Sequence, residues 1–361
     1  MNIGIITYHR AHNYGAVLQC YALSTTLRLL GHDVEVIDYY PDYFKEQYNA
    51  FSFKKIKQGS LKSKISYLKL LFFTYFTKSK RGKVFNNFIE KLPLTKIQYS
   101  EKNYCFKKYD AIFFGSDQVW NPLLTFGEDN VFSGNFDKQG GRFISYAAST
   151  NPKILNDDYK NYFKGIADRF DAISAREQSL SDYINSLAPG SSKVVLDPVL
   201  LLNEVEWSKV AVKPREENYL LIYTVPQSDK IWTLAEMIAK AKGLKIIEVR
   251  PNVRFNIKNN ILQTVSPEEF LGYIKYATYI VTTSFHGTAF SLKFKKQFVT
   301  LSLGTHVDDR AKNLLSSLGL TERMMPQNNL YIPEDQIDYT IVDGKLSTLI
   351  TDSINFIKKS L

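Results

Sequence analysis

Short apolar runs typical of buried strands alternate with longer segments of helical periodicity along the whole chain. In the first half, this pattern predicts the strands Ile3–Thr7, Val34–Asp38, Ala111–Phe114, Phe143–Tyr146, Ala172–Ser174 and Val194–Leu196. It also predicts helices at about Ala16–Leu30, Asp157–Arg169 and Glu177–Ser186. Because strands and helices that alternate in this way form β-α-β units, the chain is restricted to α/β folds built on parallel sheets.

The same alternation starts again in the second half. Strands are predicted at Tyr219–Thr224, Leu244–Val249, Tyr279–Thr282 and Phe298–Leu301. Helices are predicted at Asp229–Ala241, Pro267–Tyr276, a segment that begins near His286, Asp308–Leu318 and Lys345–Ser360. The polar stretch Val212–Asn218 separates the halves. We therefore expect two Rossmann-like, doubly wound α/β domains, 1–211 and 212–361, that face a central cleft, with the option that the last helix crosses back to the first domain.

Composition fits a protein with two real cores. Hydrophobic residues make up 44% of the 361 residues and aromatic residues 14%. Cys20 and Cys105 are the only cysteines, and they form no C-x-x-C pair, so a disulfide framework or a structural zinc site is disfavoured. No signal peptide is visible, and the apolar runs are too short to span a bilayer. We expect a cytoplasmic protein that needs no metal and no cofactor.

The net charge of +10 is concentrated in one segment. Between Lys54 and Lys83 the chain has ten Lys and Arg residues and no acidic residue. This segment belongs to an insertion at about 41–108 that interrupts the first domain. Apolar side chains recur in it at helical spacing, namely Leu61, Ile65, Leu68, Phe72 and Phe76. The pattern is typical of a helix that lies on an anionic bilayer surface, and it equally fits a helix packed on its own domain. Nucleic acid is not expected, because no nucleic-acid motif accompanies the charge.

His286 lies where the predicted strand Tyr279–Thr282 turns into a helix. In open α/β sheets, loops at this edge line the ligand crevice, and the N-terminus of the next helix favours an anion. An imidazole there can give or take a proton near neutral pH. The alternative is a capping histidine packed beside the sheet.

Other polar side chains follow the predicted strands at the same edge. Asp117 can act as a base or bind sugar hydroxyls, or it can form an Asx turn and cap the following helix. Arg176 presents a planar fork to a carboxylate or phosphate, or it forms a surface ion pair. Further candidates to line the cleft are Arg10, Asn13, Tyr14, Gly15, Ser116, Gln118 and Trp120, with Trp120 as a face for sugar stacking. Dinucleotide, serine-hydrolase and P-loop fingerprints do not occur.

Five segments together resemble the polysaccharide pyruvyl transferase family. They are TYHRAHNYGAVLQCYAL, FFGSDQVWNP, SAREQS, LDPVLLL and VTTSFHGTAFSLKF, which lie between about Ile3 and Leu320. The resemblance implies two Rossmann-like domains similar to GT-B glycosyltransferases. It also implies transfer of pyruvyl from phosphoenolpyruvate to a sugar, with formation of a ketal across two hydroxyls.

The resemblance also implies roles for particular residues. Arg176 and His286 match the family's donor-site arginine and histidine, and a downstream basic residue falls on Arg310 or Lys312. Ser284 stands where better-known members have an arginine, and the donor loop continues through Gly287 and Thr288. His286 would then transfer the proton. To Asp117 we assign the activation or positioning of the sugar hydroxyl, which the resemblance itself does not specify.

The expected acceptor is a sugar, carried on a lipid diphosphate at the inner face of the cell membrane. The basic segment 54–83 would let the protein rest on that anionic surface. Two alternatives stay open from the sequence. One is a glycosyltransferase that uses a nucleotide-sugar, and the other is a non-catalytic scaffold for polysaccharide assembly.

Overall fold

The computed structural model describes residues 1–48, 61–225 and 228–361, without the side chains at positions 61–67 and 69. Lys54, Lys55 and Lys57 of the basic segment therefore lie outside the described residues, as do the side chains of Leu61 and Ile65. The described strands are β1 Asn2–Ile6, β2 Asp33–Tyr39, β3 Leu94–Tyr99, β4 Ala111–Phe114, β5 Arg142–Ala148, β6 Ala172–Ala175, β7 Ser192–Val194, β8 Tyr219–Tyr223, β9 Lys245–Val249, β10 Ile261–Leu262, β11 Tyr279–Thr282, β12 Gln297–Ser302 and β13 Met324–Pro326.

The strands form two parallel sheets. The first has the order β3-β2-β1-β4-β5-β6-β7, and the second has the order β10-β9-β8-β11-β12-β13. Each sheet reverses its direction of growth once, between β1 and β4 and between β8 and β11. The central strands β4, β8 and β11 are buried throughout, as their continuous apolar sequences require. The predicted fold class, two doubly wound Rossmann-like domains, is confirmed.

Helices connect the strands and cover both sheets. The α-helices are Tyr14–Leu29, Asp42–Tyr48, Leu61–Ile89, Pro122–Thr125, Lys160–Arg169, Gln178–Leu187, Glu204–Val210, Lys230–Lys242, Pro267–Tyr276, Phe285–Lys293, Asp309–Leu318 and Tyr339–Ser360. Short 3₁₀ turns lie at Pro152–Ile154, Asp157–Tyr159, Pro198–Leu200, His306–Asp308 and Thr321–Arg323. Local chemistry fixes several ends: Ser266 and Glu269 form a capping box, and Gly243 and Gly319 end their helices in the left-handed conformation.

Some elements differ from the sequence-based expectation. The insertion at about 41–108 is not only helical, because β3 lies in it and extends the first sheet. This strand is largely exposed, so its sequence lacks a strong apolar pattern. The helix Glu204–Val210 and the edge strands β10 and β13 were not predicted. The last helix begins at Tyr339, where Asp338 caps it, and not at Lys345. The domain limits 1–211 and 212–361 stay a prediction, although no strand of either sheet crosses position 212 in the described chain.

The last helix, Tyr339–Ser360, packs on the first sheet. The backbone N–H of Leu196 donates a hydrogen bond to Ser353 Oγ at 3.0 Å, and the ring of Phe356 lies 6.4 Å from that of Tyr146. Arg142 donates to the carbonyl of Leu361 at 3.5 Å. The first domain is therefore covered in part by the chain's final helix.

The helix Leu61–Ile89, called the basic helix below, is joined to both domains by Arg81. This guanidinium is buried and donates to the carbonyls of His12, Gln263 and Arg250 at 3.1, 3.2 and 3.4 Å. It also lies over the ring of Phe85, 4.5 Å from its centroid. None of the described helices has the length and apolarity that a bilayer span requires.

Candidate active site

A cavity of about 320 Å³ lies where the carboxyl ends of the two sheets face each other. The loops after β1, β4, β11 and β12 supply its walls, as the Rossmann-like topology requires. The helix Asp42–Tyr48 adds one further wall. The lining side chains include Asn13, Tyr48, Asp117, His286 and Arg310. The sequence-based candidates from both halves thus meet in one cleft.

His286 is held against the first domain. It is the second residue of the helix Phe285–Lys293, whose N-cap is Ser284, and the Ser284 hydroxyl accepts a hydrogen bond from Gly287 N at 3.4 Å. The imidazole lies against Gly15 in the first turn of the helix Tyr14–Leu29. A β-carbon at Gly15 would lie less than 3.0 Å from atoms of the ring, so only glycine leaves room for this contact.

The carboxylate of Asp197 lies next to the His286 ring. His286 Nε2 lies 3.6 Å from Asp197 Oδ2, and it is a buried nitrogen with no hydrogen-bond partner among the described residues. The same oxygen accepts hydrogen bonds from Ser116 Oγ at 3.1 Å and from Arg176 Nη1 at 2.8 Å. The other carboxylate oxygen caps the turn Pro198–Leu200 through Val199 N at 3.0 Å.

The Asp197 carboxyl is fully buried and yet ionised. Burial raises its pKa, but the neighbouring His286 and Arg176 outweigh that effect and hold the pKa well below its usual range. Asp197 is therefore a fixed negative charge 3.6 Å from the His286 ring.

Arg176 lies at the end of β6 among three carboxylates. Its guanidinium is 2.8 Å from Asp197, 3.5 Å from Asp117 and 3.8 Å from Glu177. Burial opposes the charge, but these carboxylates raise the pKa of Arg176 above its ordinary value. Its side chain is 1% exposed, so the alternative of a surface ion pair does not apply.

Asp117 is the carboxylate of this group that faces the cavity. Its side chain is 20% exposed, and its Oδ1 also accepts a hydrogen bond from Gln118 N at 2.9 Å. The residue has a φ of 76°, in the left-handed region. The cavity position expected for Asp117 is present, whereas the alternative that it caps the following helix is wrong, because Asn121 is the N-cap of the helix Pro122–Thr125.

Arg310 is a cation of the cleft without a counter-ion. It is the second residue of the helix Asp309–Leu318 after β12, and among the described residues no carboxylate lies within ion-pair distance of it and no hydrogen bond reaches its guanidinium. Burial, and next to it the charge of Arg176, lower the pKa of Arg310 from its ordinary value. Arg310 also lines a second cavity of about 410 Å³, together with Arg176, Asp197 and Phe285. An anion that enters either cavity can pair with it.

Several predicted residues lie elsewhere. The sugar-stacking role of Trp120 is wrong, because its ring is fully buried and its Nε1 donates to the Phe132 carbonyl at 3.1 Å. Tyr14 is also buried: it stacks on Phe270 at 4.3 Å and donates to the Val265 carbonyl at 2.8 Å. Tyr14 thus joins the domains and does not line the cavity. Large aromatic side chains gain most from burial, which overrides their position beside a predicted loop.

Polar candidates also separate into those inside and outside the cleft. Arg10 is held by Asp38, with Nε 2.7 Å from the carboxylate, and Lys312 is exposed and lines neither cavity. Ser116 is buried beneath the cleft beside Asp197, and Thr288 is fully buried, with Oγ1 2.7 Å from Thr300 Oγ1. Gly287 lies close against Thr282. The cavity walls retain Asn13, Gln118 and Ser284 from the predicted set.

Asp197 and Glu177 were missed as site residues. Asp197 begins an Asp-Pro pair at the end of a predicted strand, which is the same kind of position that drew attention to Asp117. Glu177 directly follows Arg176, and its Oε1 accepts from Ser149 Oγ at 2.6 Å and from Thr150 N at 3.1 Å. The sequence therefore contains a signal for each residue: the position after a strand for Asp197, and the adjacency to Arg176 for Glu177.

The sequence model of the polysaccharide pyruvyl transferase family matches residues 13–305, so the chain belongs to that family. No curated protein matches the chain in sequence.

Solved structures with related folds include two UDP-N-acetylglucosamine 2-epimerases. One is a putative enzyme of this kind from Listeria monocytogenes, with 9% identity, a TM-score of 0.47, and coverage of 99% of this chain and 88% of that chain. The other is from Neisseria meningitidis, with 12% identity, a TM-score of 0.46, and coverage of 99% and 93%. A heptosyltransferase from E. coli gives 12% identity, a TM-score of 0.38, and coverage of 97% and 100%.

Proposed function

We propose that this member of the polysaccharide pyruvyl transferase family moves pyruvyl from phosphoenolpyruvate onto two hydroxyls of a sugar and forms a pyruvate ketal. The observation that carries the proposal is the meeting of two features in one cleft. His286 lines the cavity beside the ionised Asp197, and we assign the proton transfer to it. Arg310, without a counter-ion among the described residues, is a cation in place.

The donor has a carboxylate and a phosphate, and it needs positive charge on both. Arg310 provides one contact, and the N-termini of the helices Tyr14–Leu29 and Phe285–Lys293, which favour an anion, border the same cavity. Arg176 adds charge from the wall of the second cavity. Because three carboxylates already surround Arg176, its second task is to hold Asp117 and Asp197 in place.

The proposed reaction begins with a proton from His286 to C3 of phosphoenolpyruvate. C2 then becomes an oxocarbenium-like electrophile, and the first sugar hydroxyl adds to it while Asp117 holds that hydroxyl. The second hydroxyl attacks C2, and the bond from C2 to the phosphate oxygen breaks. One hydroxyl proton restores His286 and the other leaves with phosphate, so the atoms balance. General acid catalysis of this kind contributes about 10²–10⁴-fold to the rate. The scheme uses no metal and no cofactor beyond the donor substrate.

The proposed acceptor is a glycan on a lipid diphosphate, which places the protein at the inner face of the cell membrane. A peripheral location through the basic segment 54–83 agrees with the exposed lysines of the basic helix. The cleft's acceptor side is supplied by Asn13, Tyr48, Asp117 and Gln118.

The test is incubation of the purified protein with phosphoenolpyruvate and lipid-linked oligosaccharides. We expect release of phosphate together with the mass increment of a pyruvyl ketal on the glycan, and both at a rate lower by about 10²-fold or more with His286→Ala. Phosphate release without a modified glycan would indicate hydrolysis of the donor and contradict the proposal. A glycan extended by a sugar when a nucleotide-sugar is supplied would favour the glycosyltransferase alternative.

A further inference from the structure

The exposed side of the basic helix carries large apolar side chains that nothing in the described chain covers. Phe72 and Phe76 are 79% and 82% exposed, and Phe73 and Tyr75 lie between them. Single exposed apolar residues are ordinary on protein surfaces, but a contiguous group of aromatic rings marks a surface that meets a partner.

The second domain extends this group. Its loop 250–263 presents Phe255 and Ile257, and Ile257 is 83% exposed. The rings of Phe73 and Phe255 are in edge contact, with centroids 5.2 Å apart and planes at 65°. The basic helix and this loop therefore form one surface, the aromatic patch, which consists of Phe72, Phe73, Tyr75, Phe76, Phe255 and Ile257.

Arg81 holds the two parts of the aromatic patch together. Its guanidinium donates to the carbonyls of Arg250 and Gln263, which are the two ends of the loop, and to the carbonyl of His12 beside the cleft. Phe76 precedes Arg81 by five residues, about 7.5 Å along the helix. The patch is thus fixed to both domains and lies near the β1 loop that lines the cleft.

Charge indicates which partner the patch fits. Residues 61–89 contain seven Lys and Arg and residues 250–263 contain three, and neither segment contains Asp or Glu. Arg250 is paired with Glu248, but Arg254, Lys258, Lys80 and Lys83 are exposed in the two segments that carry the patch. Protruding aromatic side chains among lysines match the interfacial region of an anionic bilayer, where rings enter the headgroup layer and ammonium groups meet phosphates.

We infer that the aromatic patch docks this protein on an anionic lipid bilayer through both domains at once. The basic helix alone is not the docking element, because Phe255 and Ile257 of the second domain insert beside it. The docked patch holds the β1 loop, and with it the cleft, close to the membrane surface. That last consequence rests on the proposed lipid-linked acceptor, whereas the docking itself does not.

The test is sedimentation with sucrose-loaded vesicles that contain no acceptor and no phosphoenolpyruvate. Wild type is expected to bind vesicles of mixed phosphatidylglycerol and phosphatidylcholine and to bind pure phosphatidylcholine weakly. Phe255→Ser with Ile257→Ser, and separately Phe72→Ser with Phe76→Ser, should each lower the partition coefficient by about tenfold or more, since each pair removes two large apolar side chains from the interface. Binding should also weaken as salt rises, because exposed charges are screened over about 8 Å at physiological ionic strength.

The matched control is Phe126→Ser with Ile341→Ser, two side chains that are similarly exposed, at 80% and 61%, but lie outside the patch. It should bind vesicles as wild type does. Absence of wild-type binding to anionic vesicles at low salt would overturn the inference. So would unchanged binding of the Phe255 and Ile257 variant, or a dimer in solution that both patch variants dissociate. Because the experiment measures vesicle binding and not turnover, its outcome does not depend on whether the proposed pyruvyl transfer is correct.

Discussion

A β-carbon on Gly15 would lie less than 3.0 Å from three atoms of the His286 ring. The two residues belong to different domains and are separated by most of the chain. The ring of the proposed proton donor therefore rests directly on the backbone of the first helix. The catalytic position of His286 depends on how closely the two domains approach each other.

Gly15→Ala should lower turnover by about 10- to 100-fold, because the added methyl group must displace the His286 ring and small misplacements of a reacting group have large effects on rate. It should also destabilise the fold by about 1–3 kcal/mol through overcrowding. Steady-state kinetics and urea unfolding measure the two effects.

Gly344→Ala is the matched control for Gly15→Ala. Gly344 lies inside the last helix, and a β-carbon there would meet no atom within 4 Å. Alanine should raise the free energy of unfolding by about 0.5–1 kcal/mol and leave turnover unchanged. If Gly15→Ala also keeps full turnover, the contact with His286 has no part in the reaction.

His286→Ala should fold normally and lose about 10²-fold or more in turnover, the lower range for loss of general acid–base catalysis. Its affinity for phosphoenolpyruvate should change much less, since Arg310 remains. His32→Ala, far from the cleft, serves as the control. A folded His286→Ala protein with near-wild-type turnover would remove this residue from the mechanism.

Arg310→Ala and Arg176→Ala should separate binding from stability. Arg310 has no counter-ion among the described residues, so its removal should weaken phosphoenolpyruvate binding and change the free energy of unfolding by about 1 kcal/mol or less. Removal of Arg176 leaves buried carboxylates uncompensated and should cost about 3–5 kcal/mol. Calorimetric titration and urea unfolding distinguish the two, with Lys312→Ala as a control that changes neither. Equal donor affinity in wild type and Arg310→Ala would refute the donor assignment.

Asp197→Asn should alter the acid stability of the protein. Burial raises the pKa of Asp197, but His286 and Arg176 hold it well below its usual range, whereas aspartate in an unfolded chain titrates near 3.9. The stability that this group contributes is therefore fully present above about pH 4 and is lost as the pH falls further toward its folded pKa.

Asp197→Asn should accordingly be less stable than wild type by about 3 kcal/mol at pH 7, and the difference should shrink below about pH 4. The exposed Asp182→Asn is expected to keep the wild-type pH dependence. Urea unfolding between pH 3 and pH 7 gives both curves, and a constant gap across that range would show that the carboxylate charge is not the cause.

The elements that local periodicity specifies were predicted well. Helix Pro267–Tyr276 and strand Tyr279–Thr282 were predicted with their observed ends, since a capping serine and a proline mark the helix start and the strand is short and mostly apolar. Strand β3 was missed because an exposed edge strand needs few apolar residues. The first helix begins at Tyr14 and not at Ala16 because Asn13 caps it two residues earlier than the apolar pattern suggests.

The candidate site was only partly predictable for a different reason. His286 and Asp117 were found because each follows a strand, and parallel strands bring such positions to one edge, whereas Arg310 was found through the family resemblance. The meeting of Asp197 with His286 depends on how the two domains dock, which no local pattern encodes. The prediction for Trp120 was wrong because a position at the end of a strand does not determine the direction in which a large ring points. The Trp120 ring is buried in the first domain and does not face the cleft.

The contact of the last helix with the first sheet has a consequence for synthesis of the protein. Chains leave the ribosome from the amino end, and domains fold as they emerge. The strands around Tyr146 and Leu196 emerge well before Ser353 and Phe356, the residues that cover them. A nascent chain stalled before position 339 would thus present its first domain with an apolar face bare to chaperones and proteases. The domain that is made first is completed last.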